Sequence, residues 1–224
     1  MDSVFLHDMK NLEFRLNLLL SNLEEHYGDP DFKRSVVELL QSSLQKVDTV
    51  VERWSAHKDA VMIKVPVDIN ELVADAANRV RARDSYRQNG ASAPNVGFAA
   101  EPLPPVWADP HYLSDAFASI VQNALEAAGP GGQVSLESRL ESHRGSPWVA
   151  VGIADSGPGM SREFIRTRLF RPFQTMKTYG IGLGLFTARE IIRAHRGQVT
   201  VDSRLGEGTL VTVRLRAERE DASR

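Results

Sequence analysis

The apolar residues of this chain keep two different periods, and the change between them near residue 60 restricts the fold more than any other feature. Phe5, Met9, Leu12, Leu16, Leu19 and Leu23 recur at alternating steps of four and three, the spacing that lines side chains along one seam of a helix. Gly28 supplies a stop, Asp29 a cap and Pro30 a first helical residue. Glycine accepts the left-handed backbone that ends a helix, and proline lacks only an N–H that the first turn would leave unpaired. The seam resumes through Val37, Leu40, Leu44, Val47, Val51 and Trp54. Two antiparallel helices with one stripe each cannot bury it well alone, and pairing two such hairpins gives a four-helix bundle. A homodimer is therefore expected.

Beyond Trp54 the seam ends. A short strand is expected over 61–67, followed by a capping-box pattern, Asp68 to Glu71, opening a helix to Arg83. Residues 85–104, rich in Asn, Gly, Ala and Pro, read as a loop plus an edge strand. A helix is expected over 110–128, closed by Gly129-Pro130-Gly131-Gly132, and another over 182–195. The alternating stretches 133–140, 148–154, 198–203 and 209–215 read as strands of a sheet with one buried face. Mixed strands with all helices on one face make an α/β sandwich. The whole is thus α+β, with a helical hairpin over 1–57 and the sandwich over 60–217.

Composition removes several functions. A formal charge of −2, with no dense Lys/Arg run, offers no electrostatic reason to expect nucleic acid or an anionic membrane. With no cysteine, disulfides, thiolate chemistry and Cys-based metal sites are excluded, which fits a reducing cytoplasm. No apolar run reaches the roughly 18 residues needed to span a bilayer. His26, His57, His111, His143 and His195 show no ligand spacing and are assigned no metal.

Several clusters carry chemistry. In a helix His7 and Asn11 share a face away from the seam. A neutral imidazole is a competent nucleophile toward phosphorus, and the Asp8 carboxylate can hold the other ring N–H and stabilise the charge that develops. Alone, those five residues would equally be a solvated helix face. Asp155 ends an apolar strand ahead of Gly157 and Gly159, a pattern that also serves an ordinary turn. Gly180, Gly182, Leu183 and Gly184 open a helix whose N–H groups attract phosphate, and Lys177 can neutralise a terminal phosphate. Phe170-Arg171-Pro172-Phe173 reads as the anchor of a segment, 174–181, that folds over a ligand. Thr209 lies in a hairpin near Asp155, which a plain β-turn would also explain.

Taken in order, these boxes resemble a two-component sensor histidine kinase, whose ATPase part belongs to the superfamily shared with gyrase, Hsp90 and MutL. The likeness runs through His7-Asp8-Met9-Lys10-Asn11, Asn123-Ala124, the Asp155 box, Leu169 to Phe173, Gly182 to Leu185 and Gly206 to Thr209. It implies a dimerisation and phosphoacceptor hairpin followed by a Bergerat-type ATP-binding fold. It further implies that Asn123 binds Mg2+ bridging triphosphate oxygens, that Asp155 selects adenine with Thr209 beside it, and that the glycines at 157, 159, 180, 182 and 184 line the nucleotide. Asn11 would position a water that releases phosphate from a partner's phospho-aspartate. Gln122 stands where ATP-hydrolysing relatives carry a glutamate base, and Ser119 where many kinases carry another asparagine. The function implied is transfer of the γ-phosphoryl of Mg-ATP to His7 and onward to a response regulator receiver domain. An ATP-hydrolysing clamp and a nucleotide-sensing, non-catalytic scaffold are the alternatives. The expected location is cytoplasmic, alone or as the cytoplasmic part of a membrane-anchored kinase. Because the chain begins almost at His7, a truncated kinase or one that takes its signal from a separate protein is expected.

Overall fold

The computed structural model describes residues 62–85, 94–143, 145–171 and 182–217, together with 17, 20, 21, 29–38 and 40. The chain divides into two compact units, Met1–Val61 and Met62–Arg224.

In the first unit residues 30–38 are helical. Asp29 caps them as its residue type predicts. Its side chain accepts the Asp31 N–H at 2.9 Å, and its carbonyl accepts the Lys33 N–H at 3.1 Å. Val37 and Leu40 of the second seam are 52% and 43% exposed in the single chain. The other seam positions named above lie outside the described residues, and no bundle is evident among those described.

The second unit is an α/β sandwich. Its elements are β1 (Val65–Val67), α1 (Ile69–Ser85), β2 (Asn95–Ala100), β3 (Val106–Ala108), α2 (Pro110–Ala128), β4 (Gln133–His143), β5 (Ser146–Asp155), α3 (Arg162–Thr167), α4 (Gly184–Ala194), β6 (Gln198–Arg204) and β7 (Gly208–Arg216). Five strands form one sheet in the order β2-β4-β5-β7-β6, parallel only between β2 and β4. β1 and β3 pair separately as an antiparallel ribbon, with Pro66 opposite Trp107.

Helix α1 begins where Asp68 accepts the Asn70 and Glu71 N–H groups. It buries Ile69, Leu72, Val73, Ala76, Ala77 and Val80, a three-and-four rhythm that makes one apolar face. Asp109 caps α2 in the same way, accepting from His111 and Tyr112. Gly129 ends α2 with φ +66, and its N–H returns to the Leu125 carbonyl. α2 packs between α1 and α4 and over β4, β5 and β7. Phe117, Ile120 and Val121 meet the core side of the sheet, where Val149, Val151, Ile153 and Val213 are fully buried.

Residues 149–153 of β5 are buried on both faces. On the face away from the core, Ala150 lies between Arg139 and Arg214, and Gly152 between Glu137 and Thr212. A Cβ at Gly152 would lie 3.0 Å from Glu137 Cγ. The long stems of these charged residues therefore cover a strip of small ones. Their heads are tied by Arg139 to Glu137 and Glu141, each at 2.7 Å, and by Arg214 to Glu141 at 2.8 Å.

Three local expectations change. The strand expected over 61–67 is confined to Val65–Val67. β3 and the six-residue α3, capped by Ser161, are additional elements. The helix expected from Gly182 starts at Gly184, because Gly182 has φ +73 and cannot be helical. No helix among the described residues is long and apolar enough to cross a membrane.

Candidate functional site

One face of α2 organises the site. Ser119, Asn123 and Ala127 follow each other at four-residue steps and share a face of the helix. Gly184, the first residue of α4, lies against the first two: a Cβ there would be 2.7 Å from Ser119 Oγ and 3.3 Å from Asn123 Nδ2. Gly157 lies against the third, where a Cβ would be 2.6 Å from the Ala127 carbonyl oxygen. Segments far apart in sequence thus converge on about two and a half turns of helix, roughly 12 Å of its length.

Asp155 ends β5 opposite Thr209 of β7. Its Oδ1 accepts the Gly157 N–H at 2.8 Å and so turns the chain sharply at the strand end. The turn is then stitched to the β6–β7 hairpin. The Gly206 N–H donates to the Pro158 carbonyl at 2.8 Å, and the Met160 N–H donates to Ser203 Oγ at 2.9 Å. Gly159 has φ +66, and a Cβ on it would lie 1.9 Å from the Arg204 carbonyl oxygen. A Cβ on Gly208, φ +98, would lie 2.0 Å from the Asp155 carbonyl oxygen. The resemblance implies that Gly157 and Gly159 line the nucleotide. In the structure the space a side chain would need at both is filled by the protein's own backbone.

Ser203 escaped the sequence reading. It is buried, donates to the Gly208 carbonyl at 2.8 Å and meets Thr209 Oγ1 at 2.9 Å. Thr209, also buried, is held beside Asp155 by this hydroxyl pair. The signal in the sequence is slight, one serine just before a glycine hairpin.

At the other end of the site, α4 starts after Leu183, which has no side-chain acceptor, so among the described residues no side chain caps its first-turn N–H groups. Phe170 lies under Arg189 of α4, 4.8 Å from guanidinium carbon to ring centroid, and Leu169 is buried. Gln122 does not point its amide toward chemistry of its own: its Nε2 donates to Glu126 Oε1 at 2.8 Å along the helix. His7, Asp8, Asn11, Lys177 and Gly180 lie outside the described residues.

A cavity of about 260 Å³ opens mainly on the face of the sheet away from the helices, where Ala154, Leu210 and Asp202 are cross-strand neighbours, with Asp155, Ser203 and Thr209 along its edge. A second, of about 290 Å³, lies by Trp148 and Arg214 on the face away from the helices, far from these groups. Among the described residues no three His, Cys, Asp or Glu side chains come together to hold a metal. The Asn123 side chain carries an amide oxygen, a hard donor of the kind Mg2+ accepts.

Residues 108–219 match the family of histidine kinase-, DNA gyrase B-, and HSP90-like ATPases. Sporulation kinase E of Bacillus subtilis (strain 168) is 26% identical over 220 residues, 93% of this chain and 27% of that protein. Sensor histidine kinase ZraS of Klebsiella oxytoca is 33% identical over 151 residues, 66% of this chain and 30% of that protein. The chain spans about a third or less of the length of these two relatives. Among solved structures, the mycobacterial sensor histidine kinase MprB aligns over 70% of this chain and 99% of its own, with TM-score 0.58 and 25% identity. Full-length ShkA in complex with AMPPNP aligns over 84% of this chain and 40% of its own, with TM-score 0.60 and 26% identity.

Proposed function

The chain belongs to the family of histidine kinase-, DNA gyrase B-, and HSP90-like ATPases, and from that premise we propose that it is the core of a sensor histidine kinase. Its ATP-binding part is residues 60–217, and residues 1–57 form the dimerisation and phosphoacceptor hairpin. The observation that carries this reading is the convergence of Gly184 and the Asp155 turn on the Ser119–Asn123–Ala127 face of α2, which sets a carboxylate, an amide and a helix N-terminus along one wall. Asp155 accepts a hydrogen bond from the adenine amino group, with Thr209 beside it. The α4 N-terminus, with Gly180, Gly182, Leu183 and Lys177, holds the phosphates. Asn123 supplies an oxygen ligand to Mg2+, which neutralises triphosphate charge when bound.

His7 is the acceptor, attacking through a neutral ring nitrogen while Asp8 holds the other N–H. The phosphoryl group then passes to an aspartate of a response regulator receiver domain, and Asn11 orients the water that later hydrolyses that phospho-aspartate to free phosphate. Gln122 cannot serve as a general base and is occupied with Glu126, which favours transfer to a side chain over transfer to water. The protein acts as a homodimer, in the cytoplasm or as the cytoplasmic part of an anchored kinase.

Mass spectrometry after incubation with Mg-ATP tests the reading. One acid-labile phosphate at His7, lost in His7→Gln, is expected. Free phosphate without labelled protein would point to an ATP-hydrolysing clamp, and neither product to a scaffold.

A further inference from the structure

We propose that His195 is a positioning residue for the nucleotide site: its neutral ring locks the register of α2 and α4, and protonation releases that lock. The inference rests on the nucleotide reading above.

Two contacts define how these helices lie. At one end His195, just past α4, meets Asp109, just before α2. At the other, Gly184 at the start of α4 abuts Ser119 and Asn123 within α2. The helices are therefore antiparallel, and His195 sits about 16 Å from the site along α4, the length of 11 residues at 1.5 Å each.

His195 is 6% exposed and commits both ring nitrogens to backbone. Its Nδ1 lies 2.8 Å from the Ile191 carbonyl oxygen, so Nδ1 carries the hydrogen and pins the ring to its own helix. Nε2 then has a free lone pair, which accepts the Asp109 N–H at 3.0 Å. Asp109 is the residue from which α2 starts: its carboxylate accepts the His111, Tyr112 and Ile63 N–H groups. One ring thus joins the end of α4 to the head of α2. Sliding α4 along α2 would carry Gly184 across Ser119 and Asn123, whose side chains already stand within 2.7 and 3.3 Å of where a Cβ would lie and would have to move.

A protonated ring has a donor at each nitrogen. Nε2–H would then face the Asp109 N–H, donor against donor, in a buried place. Among the described residues the charged groups facing the ring are Lys64, ahead of β1, and Asp109, at the head of α2; the lysine opposes protonation and the aspartate favours it. Burial, with Lys64 acting in the same direction, outweighs the Ile191 hydrogen bond and Asp109 and holds His195 below the ordinary histidine range. The lock is accordingly closed at neutral pH and opens on acidification.

Mg-ATP binding by calorimetry, from about pH 7.5 to about pH 5.5, compares wild type with His195→Gln, whose amide keeps an acceptor near the Nε2 position and does not titrate. The γ-phosphate also titrates in this range but affects both proteins alike. Wild type is expected to lose roughly tenfold more affinity than the Gln variant, the equivalent of one buried donor left unpaired. His195→Ala is expected to bind weakly at every pH, with the Gln variant restoring affinity. In the nucleotide-free protein, NMR signals of the Gly184 amide and the Asn123 side chain should follow the protonation of His195 in wild type and stay fixed in His195→Gln. Parallel pH profiles, or signals at 184 and 123 indifferent to His195, overturn the lock. Wild type that binds no Mg-ATP at neutral pH removes the nucleotide reading instead, and the nucleotide-free signals still decide whether the lock exists.

Discussion

A methyl group added at Gly184 would lie 2.7 Å from Ser119 Oγ and 3.3 Å from Asn123 Nδ2, both side-chain atoms that can rotate away. Alanine is also the better helix former, by up to about 1 kcal/mol in a helix interior and by less at a first position. Gly184→Ala is therefore expected to change stability by less than about 1 kcal/mol, while displacing the Asn123 amide and weakening Mg-ATP binding by about tenfold. Urea denaturation beside calorimetry separates the two effects, and unchanged affinity would detach Gly184 from the site. Gly159 has neighbours that cannot move. Its φ is +66, and the added methyl would lie 1.9 Å from the Arg204 backbone oxygen. Gly159→Ala is expected to cost at least about 2 kcal/mol, read as a lower urea midpoint. A midpoint near wild type would mean that the turn relaxes freely.

At the scale of elements, the charged ladder over β5 gives a pH prediction. The hydrogen bond from Arg214, joined by that from Arg139, holds the Glu141 carboxyl below the usual carboxylate range. A carboxylate with a depressed folded pKa adds stability above its unfolded pKa, and that stability is lost as pH falls through the folded value. Glu141→Gln is thus expected to cost less than about 1 kcal/mol at neutral pH, since the heads are partly solvated. The cost should vanish in acid, where the wild-type carboxyl is protonated too. Chemical denaturation at several pH values checks this, and a cost that persists in acid would assign the effect to packing. The end of α4 gives another. Arg196 has φ +57, a conformation strained for any side chain, while the Gly197 N–H returns to the Ile192 carbonyl at 2.9 Å. Arg196→Gly is expected to raise stability by up to about 1 kcal/mol. A lower denaturation midpoint would show that the arginine side chain contributes more than its backbone costs.

For the whole molecule, the proposed dimer predicts that Val37 and Leu40, exposed in the single chain, face a second copy. Leu40→Asp would place a charge in such a seam, and burial of an unpaired charge is strongly unfavourable. The variant is expected to sediment as a monomer and still bind Mg-ATP, because the nucleotide groups belong to the other unit. An unchanged dimer would remove Leu40 from the interface.

How much could be read without coordinates depended on the distance over which each contact acts. The start and end of α2 follow from Asp109, Pro110 and Gly129, and the start of α1 from Asp68, because caps act within three or four residues. The alternating strands and the glycine boxes were legible for the same reason. β3 was not, since three residues form a strand only when β1, far back in the chain, pairs with them. The roles of Ser203 and His195 leave no local trace, because their partners are set by folding: Met160 lies 43 residues from Ser203, and Asp109 lies 86 residues from His195. Hydrophobic period and local hydrogen bonding, both written in the sequence, determined which elements form and where glycine is required. Which backbone fills the space beside Gly157 and Gly159, and which ring ties α4 to α2, only long-range packing decided, because neither contact leaves a periodic trace along the chain.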